Sequence, residues 1–203
     1  MRMSRLLTRG WLLLAVALAM LLVSACTAGL NLPDDPGAAA TPSGSPGAAA
    51  EQGCVWTAPK ATPTASPVAI DGTIHQIGQP AKLGDLVVTV NKVFCIDGYN
   101  ATQPQAGSQF IVVDVTVTNN GSDTFNIAAN YQTRLQDKYG QQTRSDSQVA
   151  MFAGNELAGT LTPGGQISGR AAFDVPIDSE GLVFAFDTHP FSNLGTVYFS
   201  IRT

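Results

Sequence analysis

From about residue 80 onward the chain alternates between apolar and polar positions. Leu86, Val88 and Val90 recur at every second residue, as do Ile111, Val113, Val115 and Val117, with Asp114, Thr116 and Thr118 between them. Further on, Ile167, Ala171, Phe173 and Val175 are set against Ser168, Arg170 and Asp174. Leu182, Phe184 and Phe186 repeat the pattern, and Val197, Phe199 and Ile201 close the chain. A period of two sends neighbouring side chains to opposite faces, which is the signature of strands with one buried and one wet face. Turn chemistry separates the runs: Asn119-Asn120-Gly121, Asp137 to Gly140, and Pro163-Gly164-Gly165, with Pro176 ending the strand before it. No stretch of twelve residues carries a helical period, and at most a single helical turn is expected near Asn155 to Ala158. The pattern predicts an all-β fold, an immunoglobulin-like antiparallel β-sandwich of seven to eight strands.

The first half of the chain reads differently. Arg2, Arg5 and Arg9 precede an uncharged apolar run from Trp11 to Val23, which is the length of a signal-peptide core and short for a bilayer span. Small residues Ser24 and Ala25 then meet Cys26, the lipobox arrangement in which a thiol receives a diacylglyceryl group and the chain is cut just before it. The alternative is a plain secretory signal cut after Ala25. From Thr27 to Pro67, thirty of forty-one residues are Ala, Gly, Pro, Ser or Thr. Such a segment has little to bury in return for the entropy of ordering it. The expected organisation is a signal peptide over 1–25, a lipidated Cys26 with a disordered linker over 26–67 acting as a flexible tether, and a folded domain over 68–203. Removing the leader with its three arginines leaves eight Lys+Arg against fifteen Asp+Glu, a net charge of about −7. An acidic surface argues against nucleic acid as a partner and leaves the lipid to hold the protein to the membrane.

The order of pieces within the folded part is also informative. Leu83-Gly84-Asp85 precedes Val88-Thr89-Val90; Val112 to Gly121 follows; then come Arg134 to Asp137 with Gly140, Leu161 to Gly165, and Phe173-Asp174-Val175-Pro176. Taken in that order, from about Pro80 to Ile201, they resemble the bacterial extracellular telokin-like domains, immunoglobulin-like sandwiches often carried by lipoproteins. The resemblance implies a fold and an envelope location. It brings no catalytic residues with it.

Motifs for chemistry are sparse. His75 and His189 are more than a hundred residues apart, and Met151 is the one methionine left after the leader, so copper-carrier clusters are absent. Asp178 and Glu180 could share a calcium ion but lack the spacing of a binding loop. With Cys26 taken by lipid, Cys54 and Cys95 remain in an oxidising compartment, and a disulfide between them is expected, with two free thiols as the alternative. A bridge would pin Cys54-Val55-Trp56 against the sandwich. The connection from Asp97 to Ser108, with Asp97, Tyr99 and Asn100 at its start and Tyr99 expected to be exposed, is the candidate interaction loop. The resulting expectation is a non-catalytic binding module with no cofactor, anchored to the cell membrane through Cys26 and facing outward, with an unknown envelope partner. The alternative class is an envelope hydrolase, or a small-ligand or metal-binding protein.

Overall fold

The computed structural model describes residues 49–59, 66–99, 101–189 and 191–202. The leader, Cys26, residues 27–48 and Asn100 lie outside the described residues. In chain order the strands are β1 (Ile74–His75), β2 (Pro80–Leu83), β3 (Leu86–Ile96), β4 (Ser108–Asn119), β5 (Phe125–Ala128) and β6 (Thr133–Gln136), with the helical turn α1 (Ala129–Gln132) before β6. Then follow β7 (Gln142–Arg144), α2 (Ser147–Phe152), β8 (Ala158–Leu161), β9 (Gln166–Pro176), β10 (Val183–Asp187) and β11 (Thr196–Ser200).

Two sheets form the sandwich. One runs β2-β3-β4-β9, antiparallel throughout; the other runs β1-β11-β10-β6-β7, with a small β5-β8 pair beside them. Among the named strands of the described residues, only the two-residue β1 pairs in parallel, against β11. Among the described residues eleven strands stand where seven or eight were expected, because several of them are just two to four residues long, too short to show alternation. The predicted inward positions hold: Leu86, Val88, Val90, Val113, Val115, Val117, Phe173, Phe184 and Phe199 are all fully buried in one core shared by both sheets. Phe173 and Phe184 meet edge to face at 6.1 Å across the sheets, a geometry that adds to the area term.

A second core lies on the outer side of the four-stranded sheet. The register of β3 against β4 slips between Val90 and Lys92, so Asn91 is an extra residue, a β-bulge. Before it the even-numbered residues of β3 point inward; after it the odd ones do, so Val93 and Cys95 pack inside. Phe94 and Ile96 are thereby turned outward, where they join Phe110, Val112 and Ala172 beneath Val149 and Ala150 of α2. That helix is short but well started. Asp146 caps it, its Oδ1 accepting the N–H groups of Gln148 at 2.8 Å and Val149 at 3.2 Å.

The helical turn expected at Asn155 to Ala158 is not there. Residues 155–157 instead run extended beside β9, with Leu157 N donating to Arg170 O and Arg170 N donating to Asn155 O. Gly169 makes this possible: a Cβ on it would sit 2.5 Å from the Leu157 Cα, closer than atoms can approach.

Candidate functional site

Residues 49–59 form a strap along the sandwich, longer than the three residues that the bridge was expected to pin. Strand β2 pairs with β3 only as far as Thr89, which leaves the β3 edge open beyond the bulge. Gln52 closes that edge, exchanging two 2.9 Å backbone hydrogen bonds with Cys95, and an open strand edge is a hazard that proteins usually cover. Cys54 and Cys95 are disulfide-bonded. Outside the bridge, the Glu51 carboxylate accepts from Lys92 at 2.6 Å and from Arg170 at 2.9 Å. These two cations, the Lys92 hydrogen bond foremost, hold the Glu51 carboxyl below its ordinary value of 4.5, against the opposing effect of burial. Beyond the bridge, Val55 is gripped by the buried side chain of Gln109, whose Oε1 accepts its N–H at 2.9 Å and whose Nε2 donates to its carbonyl at 2.8 Å. Trp56 packs against the main core under the Arg202 guanidinium, 4.2 Å from the ring centre. Thr57 N then donates to Ile177 O at 3.0 Å.

The candidate loop divides in two. Its first half is taken up by packing. Tyr99 is half-buried, not exposed: its ring stacks on Phe152 at 4.5 Å, and its backbone exchanges two 2.9 Å bonds with Thr102. The aromatic meets α2, an element too short to be read from sequence. Asp97 accepts a hydrogen bond from the Gln52 side chain.

The second half, residues 105–108, helps form a cleft of about 580 Å³, within the range of ~300–1,000 Å³ usual for ligand sites. Thr57 and Ala58 of the strap make one side, the 105–108 turn another, and Pro176 to Asp178 the third. The turn depends on Gly107, whose φ of +82° is in the left-handed region. Sequence reasoning found the loop but not its opposite walls, which become neighbours only when the strap docks.

The other candidates are scattered. His75 sits on β1 with its ring 5.6 Å from Phe199, and His189 is in the β10–β11 connection; neither lines the cleft. Glu180 is paired with Lys138, which raises the lysine above its ordinary pKa, and Asp178 faces the cleft. Among the described residues no cluster of three or more His, Cys, Asp or Glu could hold a metal ion. Nor is any helix among them long and apolar enough to cross a membrane.

An all-β sandwich with a cleft of mixed polar and apolar lining at one end is the class of domain that this geometry defines. Residues 75–195 match the family described as a domain of unknown function (DUF4352), and the chain belongs to that family. Among solved structures, the yjhA protein of Bacillus subtilis is similar at 22% identity and a TM-score of 0.51, covering 63% of this chain and 98% of its own. A Bacillus subtilis protein titled "putative lipoprotein (ycdA)" is 15% identical at a TM-score of 0.49, covering 61% of this chain and 38% of its own. The secreted protein MPT63 of Mycobacterium tuberculosis is 17% identical at 0.45, covering 65% and 99%. These likenesses concern the fold. No curated protein matches the chain.

Proposed function

We propose that this protein is an extracytoplasmic lipoprotein, held to the cell membrane through Cys26, that presents an immunoglobulin-like, telokin-like sandwich as a non-catalytic binding module. The observation that carries the binding half is the cleft between the strap and the 105–108 turn. A catalytic site needs an acid, a base or a nucleophile converging on one concavity. The walls of this one offer hydroxyls, a carboxamide and one carboxylate, and both histidines lie elsewhere. The anchoring half rests on the lipobox Val23 to Cys26 and on the acidic charge of the mature chain.

The test is capture in the cell. A photo-crosslinking residue at position 105, facing the cleft, should trap a defined partner, while the same residue at exposed position 131 on α1 should not. Replacing His75 and His189 together with alanine should leave capture and the phenotype of the intact protein unchanged. Loss of phenotype in the double histidine variant, with no capture from 105, would instead favour the envelope hydrolase.

A further inference from the structure

The cleft sets one carboxylate among hydroxyl, carboxamide and apolar groups. Some of its backbone amides are spent within the protein: Thr57 N donates to Ile177 O, Ser108 N to Gln105 O, and Ile177 N to Gly107 O. Gln105 N is spent as well, donating to Asp174 Oδ2 at 3.0 Å. A phosphate, sulfate or carboxylate would be repelled by the Asp178 carboxylate, and among the described residues no Lys or Arg lines the cleft to offset it. What the walls do offer are the hydroxyls of Thr57 and Ser108, the Gln105 carboxamide and the Asp178 carboxylate. Asp178 makes no ion pair with any described residue. A second carboxylate stands behind the 105–108 turn. Asp174 holds that turn through Oδ2, while its Oδ1 is buried without a hydrogen-bond partner.

Resting on the reading of the cleft as the binding site, we propose that it takes a primary ammonium group carried on a small polar molecule or on a side chain. An ammonium brings three donors, no acceptor and one positive charge. That is the complement of one carboxylate flanked by two hydroxyls and a carboxamide oxygen. A sugar hydroxyl is matched less well, because it brings no charge to offset the carboxylate. A guanidinium asks for a fork-shaped carboxylate partner in its own plane, whereas the oxygens of this cleft come from three separate walls and suit a compact, freely rotating ammonium. The mature chain's net charge of about −7 also draws cations toward the surface.

Trp56, beside Thr57 and the only tryptophan outside the leader, provides the readout. The mature lipidated protein in detergent would be titrated with N-acetyl-lysine methylamide and, separately, with N-acetyl-norleucine methylamide, the uncharged analogue that lacks Nζ, following tryptophan emission. The lysine compound should give a saturable change that weakens as salt is raised, and the norleucine compound none. Asp178→Asn should weaken binding at least tenfold with an unchanged melting temperature, and Ser108→Ala several-fold. Equal responses to the two compounds, or an Asp178→Asn variant that binds as the parent does, would overturn the ammonium assignment. Partner capture from position 105 in a protein that ignores the lysine compound would overturn the ligand class alone. Failure of both would remove the cleft as a site.

Discussion

At the scale of single residues, Glu51 shows how one side chain decides whether a polar segment lies down. Its carboxylate meets two cations from different strands, Lys92 on β3 and Arg170 on β9, and so bolts the strap across the outer face of the sheet. Both Glu51 and Lys92 are more than a third exposed, and solvent screens such pairs, so the contribution is about 1 kcal/mol or less. Its pH dependence has a definite sign. The folded-state value lies below the ordinary 4.5, so the ion pair contributes fully above pH 4.5 and is lost as the pH falls through the depressed value. The expected outcome is that Glu51→Gln lowers the melting temperature by a few degrees at pH 7, and that the gap between variant and parent closes as pH falls toward 3. A gap that stayed constant with pH would mean that charge at Glu51 is irrelevant to the strap.

At the scale of elements, the disulfide and its strap act as one unit. The bridge closes a loop with a sequence separation of 41, which in the chain-entropy model stabilises by roughly 4 kcal/mol. Replacing both Cys54 and Cys95 with serine should therefore lower the melting temperature by roughly 10 °C, measured by near-ultraviolet circular dichroism. A change of less than about 2 °C would mean that the strap's hydrogen bonds and ion pairs already hold it. What sequence could and could not say about these elements has plain physical causes. The alternation of Leu86, Val88 and Val90 announced β3 because each inward residue is fully buried. The bulge at Asn91 leaves no such mark, so Phe94 and Ile96 looked out of phase when they were in fact the base of a second core. Six residues of α2 are too few to show a 3.6-residue period, and with the helix went any sign that Tyr99 had a stacking partner. The strap was hidden by composition. Its Ala, Gly and Thr residues read as tether, while its grip comes from Glu51, Gln52, Cys54, Val55 and Trp56 meeting groups far along the chain. The cleft is legible only in three dimensions, since its three walls come from positions 57–58, 105–108 and 176–178.

At the scale of the whole molecule, the proposal joins a leader, an anchor and a domain into one surface protein. If Cys26 carries the lipid, Cys26→Ala should accumulate as uncut precursor, and no mature protein should enter the detergent-rich phase on phase separation. An alanine variant processed and partitioned like the parent would leave the secretory-signal alternative standing. An anchor of two or more acyl chains holds durably, each buried methylene contributing about 0.8 kcal/mol. The sandwich itself then needs no affinity for lipid, in keeping with its acidic surface.

The bridge has one more consequence, a mechanical one. Tension arriving from the N-terminal side does not first meet β1, a two-residue strand that could be peeled away alone. It passes through Cys54 into Cys95, near the end of the eleven-residue β3, which is laddered to β4 on both sides of the bulge. The load is thus delivered to β3, where the many hydrogen bonds of its ladder to β4 can share it, and the stretch between the two cysteines is shielded. A domain tugged by its own leash would yield last at the point where it is held.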